Sequence, residues 1–279
     1  RRCTSMTFGS DTVAPTSTGT ATSEVRLNSD SPLQVPEGIN NIVSAIPYYC
    51  PVGAFSPDES YVTRVRMQSN DISIEPCRFM MSGVNTGDAS FAQVQAPILQ
   101  EYAMNIPNAS AANINIYSQQ MVANTVATFV GCELVYSTGA TGRQQYWNTP
   151  DSLSTGGTTI NTRTTLNTIT ITEGREITSL GILVAPTTAA ASTHDVGEAE
   201  FASSDFSVPF PYKFPIAPSF AALGAAAAQS TNPNGLSRQK FPAGNGIPIA
   251  PRCLVNSFYT NRDAKGVGSS VMPMLSFTR

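Results

Sequence analysis

Apolar and polar residues alternate along most of the chain. Glu24-Val-Arg-Leu27, Tyr61-Val-Thr-Arg-Val-Arg-Met67, Asp71-Ile-Ser-Ile-Glu75, Ala112-Asn-Ile-Asn-Ile-Tyr117 and Asn167-Thr-Ile-Thr-Ile-Thr172 put every second side chain in one apolar row. That period of two predicts strands with one buried and one wetted face. Residues 125–136, 179–185 and 252–259 are almost continuously apolar, which suits strands covered on both sides. Twenty Gly and twenty Pro punctuate these runs, with turn signals at Asn85-Thr-Gly87, Thr138-Gly-Ala-Thr-Gly142, Asn232-Pro-Asn-Gly235 and Gly244-Asn-Gly246, leaving little room for long helices.

Two stretches carry helical signals. Ile39, Ile42, Val43 and Ile46 stand at helical spacing after Pro36, and residues 218–229 are alanine-rich before Asn232-Pro233. A Ser/Thr/Gly-rich break from 137 to 165 divides the chain near its middle, with 136 residues before it and 114 after it, each near the size of one β-sandwich. The pattern therefore predicts an all-β protein of two tandem β-sandwiches with one or two short helices. Its divisions are an N-terminal flexible or extended arm (1–23), a first sandwich (24–142), a linker or seam (143–165) and a second sandwich (166–279). The halves share a layout without a clear sequence repeat.

Composition narrows the choice of function. The 279 residues are 41% apolar, enough for a sizeable core, yet only 13% are charged, with 16 Lys+Arg against 19 Asp+Glu and a net charge of -3. Polarity comes from hydroxyls and amides, so partners are not selected by charge. A near-neutral chain without a basic arm is not an electrostatic binder of nucleic acid. No apolar run approaches the roughly 20 residues of a membrane-crossing helix. Three of the 16 basic residues are Lys (Lys213, Lys240, Lys265) and so 13 are Arg, the cation preferred in interface ion pairs.

Little in the chain supports catalysis. Cys3, Cys50, Cys77, Cys132 and Cys253 form no CxxC pair and there is one histidine, which excludes a zinc finger or ribbon. The cysteines read as small buried apolar residues, with one disulfide left open. His194 stands in a loop-like stretch and no serine lies in GxSxG. Carboxylate pairs for a glycoside hydrolase would come from Glu173 with Glu176, or from Asp195, Glu198, Glu200 and Asp205. Glu198 and Glu200 share a face if that segment is extended, a spacing ordinary in any solvated strand. The same acids lack the DxDxDG order of a calcium loop. The glycine-rich segments do not form a phosphate cradle, and the sequon Asn108-Ala-Ser110 is read as chance. No cofactor and no catalytic or metal residue is expected.

Aromatic residues give the better candidates. Arg143-Gln-Gln-Tyr146-Trp147 lies at the midpoint break. Its Tyr-Trp pair could stack on a sugar ring, but the favoured reading is a plug in the seam between halves or between subunits. Phe206-Ser-Val-Pro-Phe210-Pro-Tyr212-Lys-Phe214-Pro sets aromatics among prolines, as either a core lid or a docking surface. The interface candidates are accordingly Arg143, Tyr146, Trp147, Phe210, Tyr212 and Phe214.

Residues 169–207 run Ile169-Thr-Ile-Thr-Glu-Gly-Arg-Glu-Ile-Thr-Ser-Leu-Gly-Ile-Leu-Val-Ala185, then reach Phe201-Ala-Ser-Ser-Asp-Phe-Ser207. The chain closes on Met272-Pro-Met-Leu-Ser-Phe-Thr-Arg279. In texture and layout these segments resemble the double jelly-roll major capsid proteins of icosahedral viruses of bacteria and archaea. The resemblance implies two jelly rolls per subunit, a homotrimer forming a pseudo-hexagonal tile, and a place in the virion. It also implies self-association into a shell, with minor virion proteins or an internal membrane as further partners and no sequence-specific nucleic-acid contact. The alternative is a secreted glycan-binding or adhesin-like β-sandwich protein, extracellular and monomeric. A carboxylate hydrolase is the third class.

Overall fold

In the computed structural model, the described residues are 8–17, 23–28, 31–51, 60–84, 101–121, 128–139, 142–186, 196–206, 211–216, 236–241, 245–262 and 268–279. They form strands, turns and loops, with no helix among them. The strands of the first half are β1 (Phe8–Ser17), β2 (Val25–Arg26), β3 (Leu33–Gln34), β4 (Asn41–Pro51), β5 (Ser60–Gln68), β6 (Arg78–Val84), β7 (Tyr102–Pro107), β8 (Asn113–Gln120) and β9 (Thr128–Ser137). Those of the second are β10 (Tyr146–Asn148), β11 (Ser154–Gly156), β12 (Arg163–Thr165), β13 (Ile169–Ile171), β14 (Glu176–Pro186), β15 (Gly197–Ala202), β16 (Tyr212–Ile216), β17 (Leu236–Lys240), β18 (Ile247–Pro248), β19 (Cys253–Asn261) and β20 (Ser269–Thr278).

These strands pair within their own half. Sheet 1a has the order β1-β9-β4-β7 and sheet 1b the order β2-β8-β5-β6, with β3 also on β8. Sheet 2a has the order β10-β20-β14-β17, with β11 on β20 and β18 on β14; sheet 2b has the order β12-β19-β15-β16, with β13 on β19. Counting β2/β3, β10/β11, β12/β13 and β17/β18 as one interrupted strand each, both halves have eight strands. In each, one sheet takes strands one, eight, three and six and the other takes two, seven, four and five. All the pairings are antiparallel. This is the two-sheet Greek-key wrapping of a jelly roll, and it occurs twice in one chain.

The alternating segments do what their pattern predicts. In β8 the side chains of Ile114, Ile116, Ser118 and Gln120 are buried and those between them half-buried; β19 buries Cys253, Val255, Ser257, Tyr259 and Asn261. Val65, Met67, Phe79, Tyr102, Ile114 and Tyr136 fill the first core, and Ile171, Phe201, Val255, Tyr259, Leu275 and Phe277 the second. Strand β20 is buried at every position, because both of its faces are covered.

Several expectations change. The segment with Ile39, Ile42, Val43 and Ile46 at helical spacing is not a helix; residues 41–51 are strand β4, paired with β7 and β9. A register shift between Ile42 and Ser44 inserts Val43 as an extra residue. Such a bulge turns a period-two row into spacings of three and four. The alternating Asp71-Ile-Ser-Ile-Glu75 is a loop in which Ile74 alone is fully buried, while Asp71 Oδ2 accepts from the backbone N–H (2.7 Å) and side-chain amide (2.9 Å) of Asn113. The alanine-rich stretch 218–229 lies outside the described residues. Of the lead-in 1–23, residues 8–17 are strand β1 in sheet 1a. The span 143–165 contributes β10, β11 and β12 to the second roll.

Candidate functional site

The midpoint residues meet where the two jelly rolls touch. Arg64 and Met80 are cross-strand partners on the outer side of sheet 1b, since Val65 and Phe79 beside them face the core. Leu183 with Met272 and Ser179 with Ser276 hold the same place on sheet 2a. An outer face is normally wet, yet Met80, Met272 and Met274 are fully buried and Leu183 is 1% exposed. Strand β14 packs against β5 and β6, so the outer face of 1b covers the outer face of 2a.

Trp147 reaches from the second roll to the first. It belongs to β10 in the second roll, but its ring meets Tyr102 edge-on at 5.0 Å and Phe79 at 6.5 Å in the first roll. Its Nε1–H donates to the Ala103 carbonyl at 2.7 Å, and its backbone makes a parallel bridge with Cys77. The connector leading to it runs along the free edge of β7, with Gln145 N–H donating to Met104 O at 2.7 Å and the Asn105 amide to Arg143 O at 3.1 Å. An edge strand that would otherwise offer unpaired backbone groups is thereby closed. At 2% exposure Trp147 has no face left for a sugar. Tyr146 is also buried, stacked on Phe277 at 5.7 Å, with the Arg279 guanidinium 4.3 Å above its ring; burial pushes its phenol pKa up.

Charges rim this contact. Arg64 is 7% exposed, and its guanidinium donates to Asp151 Oδ1 (2.6 Å), Gln119 Oε1 (2.6 Å) and Pro150 O (3.3 Å). Asp151 comes from the second roll and also accepts from Arg78 at 2.6 Å. Burial raises its pKa, but the hydrogen bond from Arg64 and the nearby Arg78 outweigh this and leave it below its usual value. Arg66 forks onto Glu24 at 2.6 and 3.1 Å and lowers its pKa. Arg279 donates to Ser73 Oγ at 2.8 Å and to Glu75 O. Arg143 holds Glu176 at 2.5 Å, and with the Gly246 N–H it keeps that carboxyl ionised below the ordinary range. A polar groove of about 990 Å³ opens along this rim between Arg66, Arg78, Asp151, Asn167, Glu173 and Arg279. Its named charges already have ion partners: Arg66 has Glu75, Arg78 has Asp151 and Arg279 has Glu173.

The remaining candidates are placed elsewhere. Phe214 is buried and stacked on Phe201 at 5.9 Å, while Tyr212 meets Phe206 and Phe241 edge-on. Their rings are spent inside the second roll, as a core lid. Phe210 and His194 lie outside the described residues. Glu198 and Glu200 do share a face, but Glu200 pairs with Arg163 (2.7 Å) and Lys213 (3.3 Å), and Glu198 with Arg262 (3.2 Å) and Lys213 (3.6 Å). Arg163 lowers the pKa of Glu200, the opposite of what a general acid requires. Among the described residues no His/Cys/Asp/Glu group could hold a metal. Cys77, Cys132 and Cys253 are free and buried, and burial lifts the Cys132 thiol to about 12. The sequence reading missed Arg64, Asp151, Met272 and Met274, because only the tertiary contact turns outer-face positions into a seam.

No protein-family model and no curated protein matches the sequence. Among solved structures the chain is similar to the STIV MCP, at 9% identity and a TM-score of 0.47, over 98% of this chain and 97% of that one. It is similar to PBCV-1 VP54 (8% identity, TM-score 0.36, 98% and 94% covered) and to the Faustovirus major capsid protein (6% identity, TM-score 0.34, 98% and 90% covered). The chain thus has viral major capsid proteins as structural neighbours, and its own strand order is that of two jelly rolls in tandem.

Proposed function

We propose that the chain is a structural, self-assembling protein and not an enzyme: the major coat protein of a virus particle, located in the virion and forming trimeric tiles of an icosahedral shell. The observation that carries this reading is the way the two rolls join. They have the same strand order, yet they meet through unlike faces, sheet 1b of one on sheet 2a of the other. A contact between unlike faces is heterologous, and repeating it closes a ring or runs on as a filament. Three chains would make a ring of six rolls. Of the acids that could have served hydrolysis, Glu176, Glu198 and Glu200 are held in ion pairs, and the near-neutral, hydroxyl-rich composition suits broad contacts summed over many copies.

Native mass is the test, by light scattering coupled to sizing, with negative-stain images of the eluted species. A mass near three times 29.5 kDa, or a closed particle, is expected. A monomer at every concentration would sink the proposal.

A further inference from the structure

The dipeptide Asn-Gly occurs twice in the sequence, as Asn234-Gly235 and Asn245-Gly246. The second stands just before β18, with Asn245 exposed and Gly246 half-buried. Packing demands the glycine. A Cβ on Gly246 would stand 2.2 Å from Glu176 Oε1 and 2.4 Å from both Glu176 Cγ and Ile177 O, so no side chain fits between this turn and β14. The same lack of a side chain leaves the Gly246 amide nitrogen unshielded beside the Asn245 carboxamide. That is the arrangement in which an asparagine is most open to attack by its own main chain.

We infer that Asn245-Gly246 is a self-modification site of this chain, and that Glu176, braced by Arg143, holds it unreacted in the folded molecule. In the reaction the Gly246 N–H gives its proton to hydroxide and the nitrogen attacks Asn245 Cγ. The N–Cγ bond forms as Cγ–Nδ2 breaks, and ammonia leaves once the departing nitrogen has taken a proton from water. A five-membered succinimide results. Water then opens it: cleavage at Cγ gives Asp, and cleavage at the main-chain carbonyl gives isoaspartate, whose backbone is one carbon longer.

The folded chain opposes the first step in two ways. Gly246 N–H donates to Glu176 Oε1 at 2.6 Å, while Arg143 fixes the other carboxylate oxygen at 2.5 Å. A negative nitrogen formed that close to a carboxylate is disfavoured by like charge, and a carboxyl kept ionised by Arg143 and the Gly246 N–H is a poor acceptor for the proton. The backbone is also pinned. Ile247 pairs with Ile177 and Pro248 with Glu176, and Ile249 N–H donates to Arg175 O at 3.1 Å, so the nitrogen cannot swing toward Cγ while β18 is docked. The longer backbone of isoaspartate does not fit a space that excludes a Cβ. Modification therefore frees Glu176, and with it Arg143 of the connector that closes the β7 edge. None of this depends on the assembly reading above.

Peptide mapping by mass spectrometry reads the exchange of NH2 for OH at Asn245, and enzymatic methylation of isoaspartate reads the longer product. The chain is held in mildly alkaline buffer, either folded or dissolved in urea, and Asn234-Gly235 in the unfolded sample calibrates the chemistry. In urea Asn245 is expected to react at a rate similar to that of Asn234. In the folded wild type it should react about tenfold or more slowly than in urea. Glu176→Ala, which removes the acceptor, should raise the folded rate by about tenfold. Glu176→Gln, which keeps an acceptor without its charge, should raise it by less. Arg143→Ala, which leaves the carboxylate unbraced, should also raise it, and circular dichroism establishes which variants are folded. Asn245→Gln should abolish the signal at this position. Failure of Asn245 to react in urea would overturn the site. A folded rate equal to the urea rate, or folded variants that react no faster than wild type, would overturn the hold by Glu176.

Discussion

Trp147 joins two jobs in one side chain: its ring completes an aromatic cluster with Phe79 and Tyr102, and its N–H satisfies the Ala103 carbonyl. Trp147→Ala should cost about 3–5 kcal/mol in chemical denaturation. Trp147→Phe, which keeps a ring but abandons the carbonyl, should cost nearer about 1–3 kcal/mol. Equal losses would mean that the ring packing adds little beyond the lost hydrogen bond. The charged rim makes a pH prediction. Glu24, Asp151, Glu176 and Glu200 all have pKa values lowered in the folded chain by arginine partners. Their folded values lie below their unfolded ones, so each contributes stability that is present above the ordinary values of 4.5 for Glu and 3.8 for Asp. That stability is lost as pH falls through the folded values. Urea midpoints should be nearly flat from neutral pH down to about 4.5 and then drop. Glu176→Gln should start lower and fall less steeply.

Among the elements, β4 shows how a strand can mimic a helix. The bulge at Val43 shifts the apolar row by one residue, so Ile42 and Ala45 both reach the core, and the spacing three between them looks helical when read along the sequence. No linear pattern distinguishes the two; the partners β7 and β9 do. Strand β15 is set against β19 with no room at Gly197, where an added Cβ would stand 2.6 Å from Thr260 O and 2.7 Å from Tyr259 Cε2. Gly197→Ala should destabilise by about 1–3 kcal/mol through forced separation of the strands. At Gly38 an added Cβ meets nothing, but φ is +82°. Gly38→Ala should therefore cost about 1 kcal/mol, from backbone strain alone. Melting curves of the two variants separate crowding from strain.

For the whole molecule, burial at the seam should make two similar rolls one unfolding unit. Met80, Leu183, Met272 and Met274 would be wet if the rolls were separate, so opening the seam exposes apolar surface as well as the buried Arg64. A single calorimetric transition is expected for the wild-type chain. Met274→Glu, which puts a carboxylate into that contact without a partner, should split it into two transitions or lower it by several kcal/mol. An unchanged single transition would count against a tightly packed seam.

The sequence by itself determined the all-β class, the tandem layout and the strands with one wet face, because a period of two is imposed by backbone geometry wherever a sheet has a core side and a solvent side. It offered Arg143, Tyr146 and Trp147 as interface candidates, since aromatic and Arg residues cluster there at a break between sandwiches; the contacts of Trp147 with Tyr102 and Phe79 came from the tertiary structure. The tertiary structure alone decided which outer faces are covered. Met272 and Met274 read as part of an apolar run and Arg64 as an ordinary exposed residue of an alternating strand, and each changes meaning only when the other roll arrives. Strand order and burial at a seam depend on residues far apart in the chain, such as Arg64 with Asp151 or Trp147 with Tyr102. A local periodicity reports which side of a strand is apolar and carries no term for what lies against it.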